Sequence, residues 1–183
     1  MRSTILSPGA PTPGSRRSPR SHAGTPPGSG ELQLQQPWVP AGDYLSVADY
    51  EAMEAVGYKY EHYGRAVAAF FAERRLRPQH VVVMGAGMGG LIRASHDVGG
   101  VPLQCITAIE RNPTGVERIR SRFMSGPKAG QLAQLVHGEA TALSSWEALR
   151  ARGPPQLVVL EMMGSIGCNE AQPEICAAAR ARM

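Results

Sequence analysis

Cysteine, aromatic side chains and long apolar runs are all scarce in this chain, and each shortage excludes something. Cys105, Cys168 and Cys176 are the only cysteines among 183 residues. Three thiols at no metal-ligating spacing exclude a disulfide framework and fit a reducing, intracellular setting. Cys105 lies in an apolar run and reads as a core residue. No run approaches the roughly 18 apolar residues of a membrane-spanning helix, so no membrane association is expected. Acidic residues are missing from residues 1–30, which hold six Pro, six Ser, five Gly and four Arg. Such a segment cannot bury enough apolar surface to offset its ordering entropy, and 1–30 reads as a disordered tail. Its Arg- and Ser-rich, acid-free make-up also fits an organelle transit peptide. The tail accounts for the whole formal net charge of +4, because residues 31–183 carry 15 basic and 15 acidic residues. A neutral remainder gives no electrostatic argument for direct nucleic-acid binding.

What is present falls into a regular alternation. Residues 31–76 read as a lead-in segment with two helices, Asp49 to Ala55 and Tyr58 to Glu73, with Trp38 and Tyr44 as anchors ahead of them. Tyr63, Val67, Phe70 and Phe71 recur at helical spacing and give the second helix one apolar face. From residue 77 to 183 the pattern is strand, helix, strand, helix, strand, helix, strand. The strands are Val81 to Met84, Leu103 to Glu110, Leu132 to His137 and Gln156 to Leu160. The helices run from about Gly89 to Asp97, from Thr114 to Phe123 behind Pro113, and from Ser144 to Arg150 with Ser144 or Ser145 as cap. This order predicts an α/β fold, a doubly wound parallel sheet of Rossmann-like type. Residues 171–183 allow one further short helix.

Two motifs carry chemistry. Gly85, Gly87 and Gly90 form a glycine turn directly after the first strand, and Glu110 stands 20 residues beyond the last of them. Glycines let the backbone turn sharply and approach a ligand, while a carboxylate at the next strand end can accept both hydroxyls of a ribose. This pattern admits a dinucleotide or an S-adenosyl ligand, and a merely tight turn remains open. Glu139, after the third strand, either accepts from an adenine amine or faces solvent. The second motif is the loop from Glu161 to Glu170, with Gly164 and Gly167 between two glutamates. Close carboxylates repel unless a cation sits between them, and an arginine guanidinium matches such a clamp. A metal lacks a third ligand at suitable spacing. Acid–base work and a solvated loop stay open.

Four blocks together resemble the type II protein arginine methyltransferase family. They are residues 35–60, the turn Met84 to Leu91, the segment Ala108 to Pro113, and the double-glutamate loop Leu160 to Glu170 with Pro173 and Glu174. The resemblance covers about residues 32–176. It implies S-adenosyl-L-methionine as cofactor, an arginine-containing protein or peptide as substrate, histone tails among them, and a location in cytoplasm or nucleus. It further implies that Tyr50 closes the site, Lys59 contacts the cofactor carboxylate, and Tyr60 packs across the way in. Gly85 and Gly87 would lie under the amino-acid portion, Glu110 would take the ribose, and Glu139 with Ala140 would mark the adenine. Glu161 and Glu170 would hold the substrate arginine as the catalytic pair.

The departures from that family matter as much. Met88 stands in place of an arginine, Gly90 in place of a proline, Glu139 in place of an aspartate, and Cys168 in place of an acid. Weaker cofactor binding is expected. Met53 stands in place of a phenylalanine and matches the asymmetric branch, so a product that is not strictly symmetric is expected. The resemblance also implies a C-terminal β-barrel and dimerisation arm beyond this sequence. The fold is therefore expected to be truncated after the fourth strand, marginal in stability, weak or inactive as an enzyme, or dependent on a partner chain. Two other functions stay open: a fragment that binds an S-adenosyl ligand or partner without turnover, and an NAD-binding oxidoreductase fragment.

Overall fold

The computed structural model describes residues 45–125, 131–162 and 172–181. The readings made for the tail, Trp38, Tyr44, Cys168 and Glu170 fall outside these. Strands β1 (Val81–Met84), β2 (Ile106–Glu110), β3 (Gln134–His137) and β4 (Leu157–Leu160) form one sheet in the order β3-β2-β1-β4. Every pairing is parallel. The chain steps outward from β1 to β3, then crosses back to lay β4 on the other side of β1. This is the doubly wound arrangement, and its switch point lies between β1 and β4. Ligands in such sheets occupy the crevice beyond the carboxyl ends of the strands at that point.

Alternate strand residues feed two cores, as a sheet covered on both faces requires. Val81 and Val83 pack with Val67, Phe71, Leu91, Ile92, Ile119 and Phe123. These come from α2 (Gly57–Glu73), α3 (Gly90–Arg93) and α4 (Pro113–Ile119) with the π-helical turn Arg120–Met124 that prolongs it. Val82 and Met84 pack with Trp146, Leu149, Ile175 and Ala179, carried by α5 (Leu143–Glu147), the turn after it, and α6 (Gln172–Arg180). All four β1 side chains are wholly buried. Their burial contributes on the order of 8 kcal/mol before chain entropy is counted, so the turn that follows β1 stands on a rigid base.

Local chemistry explains the element ends. Helix α1 (Val47–Glu54) starts at a capping box in which Ser46 and Asp49 satisfy each other's backbone N–H. Pro113 occupies the first turn of α4 behind the cap Asn112. Some boundaries differ from the sequence reading. Strand β2 begins at Ile106, because Leu103–Cys105 make a 3-10 turn after Pro102, and β3 begins at Gln134 rather than Leu132. Helix α5 starts at Leu143 with no side-chain cap, which corrects the expected cap at Ser144 or Ser145. Ser145 is instead buried, against Gly138. Cys105 is only half-buried, its thiol donating to the Pro78 carbonyl at 3.3 Å. Among the described residues no helix is long and apolar enough to cross a membrane.

Candidate active site

Strand order determines what stands beside what. Across the carboxyl edge of the sheet come Glu139 and Ala140 beyond β3, Glu110 ending β2, the glycine turn after β1, and Glu161 after β4. Neighbouring strands are about 4.8 Å apart, so the strand ends that carry Glu110 and Glu161 flank the glycine turn about 10 Å apart.

The turn needs its glycines for two reasons. Gly85 and Gly87 have φ of 59° and 56°, a region that side chains disfavour. The space above them is also occupied. A Cβ on Gly87 would lie 3.0 Å from the Tyr50 ring, and one on Gly85 would collide with Met162. Met162 was not singled out in the sequence. It follows Glu161, and its N–H donates to Gln172 at the start of α6.

Glu110 is 4% exposed, yet both its oxygens are used. Oε2 accepts from the Gly87 N–H at 2.6 Å and Oε1 from the Asn112 N–H at 2.7 Å. Burial pushes its carboxyl above the ordinary value, against the opposing pull of the Asn112, Gly87 and Arg111 N–H groups and the Arg111 charge. A desolvated carboxylate of this kind gains when further donors, such as sugar hydroxyls, reach its remaining lone pairs.

Asn112 is a hub that the sequence signalled only as a residue before a helix-starting proline. It is 2% exposed. Its Oδ1 caps α4 at the Thr114 N–H, and its Nδ2 donates to the Leu45 carbonyl at 3.0 Å and the Tyr50 hydroxyl at 3.2 Å. Tyr50 is thereby seated over Gly87. Met53 lies half-buried one turn further along α1.

The other side of the crevice is charged. Lys59 Nζ donates to Glu161 Oε2 at 2.8 Å and sits 4.9 Å from the Tyr60 ring centre. Burial pulls the Lys59 ammonium down. The hydrogen bond and charge of Glu161, with Tyr60, outweigh that and leave it raised. Burial raises the phenols of Tyr60 and Tyr63 as well. Tyr60 packs on Gly90, where an added Cβ would meet its ring at 2.6 Å, and Tyr63 donates to the Leu160 carbonyl at 3.4 Å. Glu139 turns on its own neighbour, accepting from the Ala140 N–H at 3.1 Å and from Arg111 at 3.5 Å. The Ala140 carbonyl accepts from Trp146 at 2.8 Å. The structure thus brings Tyr50, Gly85, Gly87 and Glu110 into one connected group. Lys59 and Glu161 form a second, and Glu139 with Ala140 a third.

A fold and strand-end arrangement of this kind belong to a Rossmann-like class, and comparison with known proteins fixes the family. Residues 27–183 match the family model described as PRMT5 arginine-N-methyltransferase. The chain belongs to that family. It is 32% identical over 150 residues to protein arginine N-methyltransferase 5 of Oryza sativa subsp. indica, covering 77% of this chain and 22% of that protein. It is 30% identical over 153 residues to the protein of the same name from Xenopus laevis, covering 79% and 23%. The chain thus matches less than a quarter of the length of these relatives. A solved glycopeptide N-methyltransferase, MtfA complexed with sinefungin, is similar at 24% identity and a TM-score of 0.45, over 65% of this chain and 45% of that one. That degree of likeness carries no functional inference.

Proposed function

We propose that this chain is the cofactor-binding and arginine-holding part of an S-adenosyl-L-methionine-dependent protein arginine methyltransferase. The observation that carries the reading is the Lys59–Glu161 pair. Beside the glycine turn, a partly buried carboxylate already grips a nitrogen cation. The residues fit the cofactor: Glu110 offers a desolvated carboxylate, Gly85 and Gly87 add no side chain of their own so that only the Tyr50 and Met162 side chains lie over their backbone, and Lys59 supplies an ammonium for a carboxylate. When bound, S-adenosyl-L-methionine supplies an electrophilic methyl group on a sulfonium. Glu161, joined by Glu170, accepts hydrogen bonds from the substrate guanidinium. That fixes its plane and holds positive charge on the nitrogens that do not attack, leaving one nitrogen as nucleophile. Orientation and preorganised charge do the work, with no covalent enzyme intermediate. Lys59, bonded here to Glu161 Oε2, would hold the carboxylate of a bound cofactor and so yield Glu161 to the guanidinium. Met53 beside Tyr50 gives a product that is not strictly symmetric. Mass spectrometry finding symmetric dimethylarginine alone would refute that part.

The test is calorimetric titration of the chain with S-adenosylhomocysteine and, separately, NAD. Binding of the former alone is expected. Glu161→Gln should then keep that binding while losing methyl transfer to an arginine peptide by about 100-fold or more, the scale of a lost charge-stabilising group. NAD binding with no S-adenosylhomocysteine binding would overturn the reading. A second reading is a ligand-binding module without turnover, favoured by Met88 standing where the family has an arginine. It predicts S-adenosylhomocysteine binding but no labelled methyl on any peptide.

A further inference from the structure

We infer that Arg122 is a positioning residue for the cofactor site: its guanidinium orients the Met88 carbonyl in the glycine turn and, through Glu54, seats α1 with Tyr50 over Gly87. This rests on the proposed cofactor binding and adds the device that holds the cover in place.

Helix α1 buries none of its own residues. Apolar burial therefore does little to fix it, and its polar contacts to the body must do so. Asn112 holds Tyr50 in its middle, and the shortest ion pairs gather on its last residue. Glu54 pairs with Arg93 at 2.9 Å and with Arg122 at 3.3 Å, and its side chain is only 13% exposed. A carboxylate at a helix C-terminus opposes the helix dipole, so Glu54 needs cations, and two guanidiniums supply them. Arg122 does a second thing that Arg93 does not. Its Nη1 donates to the Met88 carbonyl at 2.8 Å. The next residue, Phe123, presses its ring on Gly89, where an added Cβ would meet it at 2.5 Å. Consecutive side chains grip consecutive residues of the turn because they lie in the π-helical turn Arg120–Met124. A π turn has more residues per turn than an α-helix, which draws neighbouring side chains toward one face, and such turns recur at functional sites.

An ordinary surface ion pair between α1 and α4 would be close to neutral in energy. Arg118–Glu51, at 4.0 Å and well exposed, is of that kind. Arg122 differs because one guanidinium joins the turn to the cover. Its loss leaves the Met88 carbonyl without this donor and Glu54 with Arg93 alone, which loosens the seat of α1.

The experiment uses the whole chain and three variants, Arg122→Ala, Arg122→Lys and Glu54→Gln. S-adenosylhomocysteine affinity is measured by calorimetry at low and high salt. Hydrogen exchange of residues 47–54 is followed without ligand. Arg122→Ala should weaken binding about tenfold, the loss of a hydrogen bond to a charged donor, and should speed exchange in α1. Arg122→Lys should recover part of both. Glu54→Gln should show faster α1 exchange and an affinity less sensitive to salt than that of the wild type. Affinity of Arg122→Ala within twofold of the wild type, or unchanged α1 exchange, would overturn the inference while leaving the cofactor reading intact. Failure of the wild type itself to bind would overturn both. Should Arg122→Ala fail to fold, the near-isosteric Glu54→Gln decides, and unchanged salt sensitivity there would refute the role.

Discussion

Replacing Lys59 by methionine keeps the aliphatic stem and removes the ammonium from Glu161. The pair joins α2 to the end of β4, 102 residues apart in sequence, at 2.8 Å, with each side chain 25% exposed. Two unit charges about 4 Å apart attract by roughly 4 kcal/mol at an effective dielectric constant near 20. Fixing a lysine side chain costs about 1.5–2 kcal/mol of rotamer entropy, and partial desolvation removes more of the gain. The net is about 1–2 kcal/mol, between the values for exposed and for buried pairs. Urea unfolding of wild type, Lys59→Met, Glu161→Gln and the double variant isolates it, because the cycle cancels the lost contact of Lys59 with the Tyr60 ring. A coupling energy below about 0.3 kcal/mol would refute the reasoning.

The pH dependence has a defined sign. Lys59 titrates above its ordinary value in the folded chain. Its contribution is therefore complete below the unfolded value of about 10.4 and disappears as pH rises through the folded value. The gap in stability between wild type and Lys59→Met should stay level up to about pH 10 and close beyond it. The same variant should bind an arginine peptide more tightly than wild type when no cofactor is present, since Glu161 is then free. An unchanged peptide affinity would mean that Glu161 is not where the guanidinium binds.

Glu110→Gln sets an amide NH2 against one of two backbone N–H donors, Gly87 or Asn112. Leaving one of them unpaired should cost about 1–3 kcal/mol in urea unfolding and should abolish measurable S-adenosylhomocysteine binding. Wild-type affinity for that ligand should rise with pH through the raised Glu110 titration, since ionisation prepares the acceptor. Gly115→Ala should lose about 1–3 kcal/mol and ligand binding together. Its Cβ would lie 2.6 Å from the Gly87 carbonyl and 3.0 Å from Glu110 Cγ. Gly57→Ala, with nothing within 4 Å, is the tolerated control. His80 is 3% exposed, bonded through Nδ1 to the Gly153 carbonyl at 3.0 Å, with Nε2 lacking a partner in the structure. Burial lowers its pKa, so its neutral form supports stability above about pH 6.5 and that support is lost as pH falls through the folded value. His80→Gln should flatten this acid limb in thermal melts.

The platform was legible in sequence because its signals are local. A β-branched run, a glycine turn and a proline at a helix start each dictate conformation within a few residues, and β1, α4 and the Glu110 position follow from them. Strand starts were less legible, since Leu103 and Leu132 are apolar like the strands they precede. What ends a strand there is backbone bonding: the Ala133 N–H reaches both the Leu103 and Ile106 carbonyls. Partners brought together from distant positions were not legible at all. Met162 on Gly85, Asn112 beneath Tyr50 and Arg122 on Met88 depend on tertiary placement that no spacing encodes. Gly115 did offer a signal, because glycine inside a helix costs about 1 kcal/mol relative to alanine and so implies a crowded neighbour.

Two kinds of support meet at this site, and they should fail differently. Gly85, Gly87 and Glu110 stand on strands whose side chains are fully buried, so their geometry is tied to the same contacts that hold the domain together. Tyr50 stands on a helix held by ion pairs and by Asn112, and Lys59 by its bond to Glu161. Damage to the platform must lower stability and ligand affinity together. Damage to the ion pairs that seat α1 can lower affinity with a smaller loss of stability, since such pairs contribute about 0–1 kcal/mol, less than the Lys59–Glu161 bond. The cover is therefore where this chain can change its affinity for a cofactor without risk to its fold. Arg122 and Arg93 on Glu54, beside a turn in which Met88 offers only its carbonyl, are such a seat.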